Sequence, residues 1–181
     1  MNATKAEILD TAIAKLPRVQ LASVRPTPLE PMQRLTAHLK SPALHIKRDD
    51  LTGLAFGGNK TRMFEFSLAD ALATGADTIV SGAAVQSNYC RQLAAACAKL
   101  GLELHLILRP VRDIDKTESQ GNNLLQHLLG AHITVLEEGK HIIQTGAIQA
   151  KVDELTAQGK KVYWPRREST IDLDVIDYVE V

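Results

Sequence analysis

The chain has 181 residues, 45% of them hydrophobic, enough for one or two small domains around a real core. Its 21 basic and 21 acidic residues cancel, so no bulk field draws it to nucleic acid or to an acidic membrane, and aromatics at 4% are too few for a base-stacking surface. No apolar run is long enough to span a bilayer, and residues 1–7 lack the apolar centre of a signal peptide, so a cytoplasmic location is expected.

Residues 4–16 carry Ile8, Ala12 and Leu16 at helical spacing, and Pro17 stops the run. Pro26, Pro28 and Pro31 each restrict the residue before them, so residues 24–31 are extended or turning. A short helix is predicted over 31–39. Leu44-His45-Ile46-Lys47 alternates as a strand, and Asp49-Asp50 ends it. A regular alternation then begins. A helix over 60–73 places Phe64, Leu68 and Leu72 on one face, with Gly75 as its stop. The strand 78–81 follows, then a helix over 88–100 that buries Leu93, Cys97 and Leu100 and is closed by Gly101. The strand 104–108, a helix over 117–129, the strand 132–136, a helix over 140–158 and a last strand at 161–164 complete the series. Helices separating short β-branched runs predict an open parallel sheet with right-handed crossovers and helices on both faces, a three-layer α/β fold. The block spans about residues 53–160.

The tail departs from this order. Residues 166–181 hold five acidic groups and no glycine, and Ile171, Leu173, Val175 and Tyr178 fit an edge strand or a frayed helix. Cys90 and Cys97 lie on one helix face about two turns apart, too far to bridge, and are read as free thiols in a reducing compartment.

Gly57-Gly58-Asn59-Lys60-Thr61-Arg62 marks the entry of a loop into a helix. Lys60 and Arg62 fall in its first turn, where the helix dipole disfavours a cation. A lysine pushed toward its neutral amine is the form that attacks an aldehyde. A solvated lysine is the ordinary alternative. Residues 81–88 form a second loop, leading from a strand end to a helix start, where ligands collect in open parallel sheets. Ser87 or Asn88 can cap that helix, and its N–H groups can hold a carboxylate or phosphate. Gln86, Ser87 and Asn88 are more polar than a cap requires. Tyr89 can stack on a planar ligand or pack in the core.

Other chemistries find no support. Gly53 and Gly58 have phosphate-loop spacing, but Asn59 displaces Lys60 from its register, and no G-x-G-x-x-G follows a strand. The histidines at 38, 45, 105, 127, 132 and 141 present no close ligand pair on one helix face, so core or surface roles and no metal are expected.

Lys47-Arg48-Asp49-Asp50, the Gly57–Arg62 segment, Glu65 and the run Gln86-Ser87-Asn88-Tyr89-Cys90-Arg91-Gln92 closely resemble the pyridoxal-phosphate enzymes of the D-cysteine desulfhydrase and 1-aminocyclopropane-1-carboxylate deaminase family. The resemblance covers about residues 22–165. It implies the fold of tryptophan synthase β, with pyridoxal 5′-phosphate as cofactor. It makes Lys60 the Schiff-base lysine and general base, with Asn59 beside it in the cofactor site and Asn88 on the pyridoxal 3′-oxygen. Gln86, Ser87 and Tyr89 fall to the substrate-carboxylate loop, Ser87 with a catalytic part. The implied reaction is a lyase or deaminase step on a small amino acid, giving an α-keto acid and ammonia, with sulfide from D-cysteine.

Family members are about twice this length. Their second half supplies the glycine-rich phosphate loop, the partner of the pyridine nitrogen and tyrosines near the substrate. By the same resemblance, residues 1–52 are the start of a large cofactor domain left incomplete, 53–160 a small α/β domain, and 161–181 a return strand with a divergent tail. Arg167-Glu168-Ser169, Asp174 and Asp177 stand near positions where the family has glycine, and Met63-Phe64 replaces Lys-Leu. A truncated member or a fragment is expected, working as a homodimer or with a missing half. The alternative is an inactive α/β module that acts by association or binds a small carboxylate.

Overall fold

The computed structural model describes residues 4–111, 119–137, 144–165 and, in the tail, 172, 173, 175, 176 and 178. The N-terminal segment contains α1 (Lys5–Ile13), β1 (Leu29–Pro31), α2 (Gln33–Leu39), β2 (His45–Lys47) and a 3₁₀ turn at Asp49–Leu51. The rest is α3 (Lys60–Ala73), β3 (Thr78–Ser81), α4 (Asn88–Leu100), β4 (Glu103–Leu108), α5 (Gly121–Leu128), β5 (His132–Val135), α6 (Gln144–Ala157) and β6 (Val162–Tyr163). No helix among the described residues is long and apolar enough to cross a membrane.

β1 and β2 pair antiparallel as a separate ribbon. The main sheet is parallel, in the order β5-β4-β3-β6. From β3 the chain steps outward through α4 to β4 and through α5 to β5, then returns through α6 to β6 on the far side of β3. Right-handed crossovers running in opposite directions must use opposite faces. One apolar cluster joins Phe64, Leu68, Ile79, Leu93, Leu104 and Leu106 on the α3–α4 side. The other joins Val80, Ile107, Ile148 and Leu155 on the α6 side. This is the expected three-layer sheet. β6 is the fourth strand of that sheet, so the expected boundary at residue 160 separates α6 from a strand its own sheet uses.

Three helices differ from expectation. In α1 the stripe Ile8, Ala12, Leu16 is not the buried face: Ile8 is 60% exposed, whereas Ile13 is buried. The helix is instead set locally by a capping box between Thr4 and Glu7. In α3, Phe64 and Leu68 are buried but Leu72 is 37% exposed. At 100° per residue Leu72 has turned about 80° away from Phe64, while Ala71, within about 20°, takes its place in the core. The helix expected over 117–129 starts only at Gly121, because Gln120 is extended and its carbonyl accepts from Gln86 Nε2 at 3.0 Å. Residues 117–118, and the start of the helix expected over 140–158, lie outside the described residues. Gly75, Gly130 and Gly159 follow α3, α5 and α6 at positive φ, as helix stops require. In the tail, Asp172, Leu173, Val175, Ile176 and Tyr178 are helical, which decides against an edge strand at those positions. Arg167, Glu168, Ser169, Asp174 and Asp177 lie outside the described residues.

Candidate functional site

Successive strands leave β3 in opposite directions, to β4 on one side and β6 on the other. Such a reversal opens a crevice beyond the carboxyl ends of the strands. The loop 82–87 leaves the carboxyl end of β3, and Gly57–Lys60 meets it from the side of α3.

The turn before α3 is held in a costly shape. Ala55, Phe56, Gly57 and Gly58 all have positive φ. A Cβ on Gly57 would lie 1.8 Å from the Asp50 carbonyl oxygen, so only glycine fits there. Thr52 holds the turn from inside, its hydroxyl donating to Gly58 O at 3.0 Å and accepting from Gly58 N at 3.1 Å. Arg91, 8% exposed, holds it from α4: Nη1 donates to Ala55 O at 2.6 Å and Nη2 to Gly57 O at 3.2 Å.

α3 begins at Lys60, without a side-chain cap from Asn59. The two cations of its first turn are treated differently. Arg62 is buried and donates to Asp49 Oδ1 at 2.9 Å and Thr27 Oγ1 at 2.8 Å. Lys60 is half-buried and, among the described residues, has no carboxylate partner; its Nζ donates to Asn59 Oδ1 at 3.2 Å. Asn59 Nδ2 in turn donates to the Tyr178 hydroxyl at 3.0 Å, bringing the tail to the lysine. Arg48 is paired with Glu30 and Asp50, and Asp49 with Arg62 of α3, so these charges serve the scaffold.

Ser87 is the N-cap of α4, accepting from Cys90 N at 3.3 Å. Asn88 Oδ1 accepts from Asn122 Nδ2 at 2.9 Å and from Arg91 Nη2 at 3.4 Å. Gln86 binds the start of α5: its Nε2 meets Gln120 O, and its Oε1 accepts from Asn122 N at 2.9 Å. Tyr89 turns inward, with its ring edge-on to Phe64 at 5.0 Å and its hydroxyl 3.3 Å from Ser81 Oγ. Cys90, one turn inside α4, is fully buried, and burial pushes its thiol up to about 12 against a smaller opposing hydrogen bond from Ser87, so it is no nucleophile near neutrality.

Gln92 joins the two loops. It is 1% exposed; Oε1 accepts from Thr61 N at 3.0 Å and Thr61 Oγ1 at 3.1 Å, and Nε2 donates to Asn88 O at 3.2 Å. One buried amide thus couples the first turn of α3, with Lys60, to the first turn of α4, with Ser87 and Asn88. Sequence reasoning quoted Arg91 and Gln92 but gave them no role. The signal was present: long polar side chains at consecutive positions facing the α3 side of an otherwise apolar helix.

Glu65 is a further buried group, fully enclosed. It accepts from Arg18 Nε at 2.8 Å, Leu21 N at 3.0 Å, Ala22 N at 2.8 Å and the Arg25 guanidinium, so it ties the N-terminal segment to α3.

The donor set fits one side of a carbonyl-bearing aromatic cofactor. Lys60 offers an amine with no carboxylate partner among the described residues, Asn88 a side-chain amide, and α4 the N–H groups of its first turn. A family model described as pyridoxal-phosphate dependent enzyme matches residues 21–177. A 1-aminocyclopropane-1-carboxylate deaminase of Methylobacterium nodulans is 41% identical over 143 residues, 76% of this chain and 42% of the deaminase. A D-cysteine desulfhydrase of Klebsiella pneumoniae is 40% identical over 174 residues, 93% of this chain and 51% of that enzyme. A solved structure, an ACC deaminase homologue, superposes with a TM-score of 0.80 at 34% identity, covering 94% of this chain and 50% of its own. The chain therefore spans about half the length of the curated relatives it matches. On this match and this geometry, the chain belongs to the pyridoxal-phosphate-dependent enzymes, whose cofactor is pyridoxal 5′-phosphate.

Proposed function

We propose that this chain carries the lysine-bearing part of a lyase or deaminase that converts a small amino acid to an α-keto acid and ammonia. The supporting observation is the Gln92 bridge, which couples Lys60 to Ser87 and Asn88 through one buried side chain. In this reading Lys60 and Asn88 hold the cofactor, with Asn59 keeping the Lys60 amine in place. The first turn of α4, behind the Ser87 cap, faces the substrate carboxylate. Pyridoxal phosphate supplies the electron sink that makes a bond at the substrate's α-carbon breakable. Lys60 Nζ is the group that takes up and returns a proton. D-cysteine and 1-aminocyclopropane-1-carboxylate are the substrates named by the relatives, and either fits the reading. Gln86 and Tyr89 flank the same loop, where one anchors α5 and the other packs on Phe64.

In this reading the site is completed by segments matching the other half of the relatives, or by a second copy. Leu35 and Ile46, which line one groove between α2 and β2, are 39% and 41% exposed, an apolar surface that such a partner would cover. The test mixes the purified chain with pyridoxal phosphate, alone and with the C-terminal half of a full-length relative. A visible absorption band is expected in the mixture and absent for Lys60→Ala, with keto acid and ammonia released from one of the two substrates. An equal band in both proteins would place the reactive amine elsewhere. A band without product would remove the lyase reading.

A further inference from the structure

We propose that Glu103, His105 and His132 form a binding site for a divalent transition-metal ion such as Zn²⁺, at the end of the sheet opposite Lys60. Three independent features of the chain converge there. Side chains alternate along a strand, so Glu103 and His105 share one face of β4. The parallel register pairs His105 with His132 directly, which places the second imidazole beside the first on β5. Glu103 and His132 are the first residues of their strands, whereas the Ser87–Asn88 loop leaves the carboxyl end of β3. The two sites therefore lie at opposite ends of one parallel sheet.

The donor atoms meet. Glu103 Oε1 is 2.8 Å from His105 Nε2 and 3.8 Å from His132 Nε2. The imidazole rings stack at 4.6 Å between centroids and 20° between planes, so both Nε2 atoms turn toward the same carboxylate oxygen. All three donor atoms lie within 4.8 Å of one another. In a tetrahedral zinc site with bonds of about 2.0–2.1 Å, donors sit roughly 3.4 Å apart. Reaching that spacing takes two adjustments: the 2.8 Å Glu103–His105 contact opens by about 0.6 Å, and the His132 ring, 61% exposed, rotates inward. His105 is 14% exposed and held by the sheet, and so forms the fixed wall of the site.

A simple ion pair explains less of this arrangement. Lys160 Nζ already binds the other carboxylate oxygen, Oε2, at 2.6 Å. That contact and the His105 hydrogen bond satisfy Glu103 without His132. Two imidazoles and a carboxylate suit late first-row divalent ions and leave a position for water. An ion there would clip β4 to β5 at the outer part of the sheet and stabilise the folded chain, because only the folded state assembles the three donors. The spacing 103, 105, 132 carries no helical signature, so only the strand register reveals it.

The experiment titrates the purified chain with Zn²⁺, and with Co²⁺ for its visible ligand-field bands, while following the melting midpoint. One ion per chain and a raised midpoint are expected. His132→Asn, His105→Asn and Glu103→Gln should each weaken binding by at least the about 10–100-fold that outer-sphere changes cost. His38→Asn, in α2, should leave it unchanged. Lys160→Ala keeps all three donors and removes the competing cation, so it should tighten binding. Absence of saturable one-to-one binding in both the parent chain and Lys160→Ala would overturn the proposal. So would binding that His132→Asn and Glu103→Gln leave intact.

Discussion

The α/β block and the N-terminal segment hold together by different means. Residues 60–163 bury apolar side chains on both faces of a sheet, with Leu68, Ile79, Val80, Leu93, Leu106 and Leu108 at or near zero exposure. In residues 4–52 the buried apolar residues, among those described, are Ile13, Leu21 and Ala22, while Ile8, Leu29 and Leu39 are more than half exposed. That segment is fastened by polar contacts instead: Glu65 to Arg18, Arg25 and two backbone N–H groups, Arg62 to Asp49, and Lys99 Nζ to Leu21 O at 3.2 Å. Apolar burial is non-directional and tolerates small shifts, whereas a buried carboxylate with four donors loses its stabilisation when one partner goes. The block should therefore behave as a folding unit, and the segment as an attachment awaiting cover.

The sharpest test of that contrast is thiol reactivity. Burial raises Cys90 and Cys97 from an ordinary 9.0 to about 12 in the folded chain. A raised folded value favours the protonated thiol, so its contribution to stability is full below pH 9 and is lost as pH climbs toward 12. At pH 8 alkylation of the native chain should be about a thousandfold slower than in urea, from thiolate fraction alone. Similar rates in both conditions would show that the block opens readily.

Next in size is Glu65→Ala, expected to cost about 3–5 kcal/mol in urea titrations, since it takes the acceptor from two buried N–H groups and a carboxylate from two guanidinium groups. Proteolysis should then cut the N-terminal segment near Arg18 and Arg25 while the block survives. Uniform cleavage of both regions would erase the distinction drawn between them.

Gln92→Ala probes the joint between the loops. It leaves Thr61 and Asn88 without their buried partner, and should cost about 1–3 kcal/mol. Cofactor affinity should fall with it, because Lys60 and Asn88 lose their common reference. An unchanged affinity would make Gln92 a packing residue only. The smallest effect is expected from Leu35→Ser with Ile46→Ser, within about 0.5 kcal/mol for each change in the chain alone. The same pair should abolish assembly with the complementary half; retained assembly would locate the interface elsewhere.

Much of this molecule is readable from local pattern. Helix stops at Gly75 and Gly101, the strand at 78–81 and the Ser87 cap depend on residues within a few positions of one another. The turn at Gly57 is only partly of this kind: no side chain fits beside the Asp50 carbonyl, but Arg91 of α4 also holds it. The motif segments around Lys60 and Ser87 carried the family. Leu72 and Ile8 were misjudged because an apolar residue at the right spacing is buried only if another element arrives to cover it.

What the amino-acid order determined by itself was the sequence of elements and the presence of an amine at a helix start, since short-range sterics and hydrogen bonding decide both. Tertiary structure alone decided that Gln92 couples that amine to Asn88, that Asp49 pairs with Arg62 and not with Lys60, and that His132 arrives beside His105. Each of these depends on the register of two elements distant in the chain, and register follows from how whole faces pack, which no local window contains.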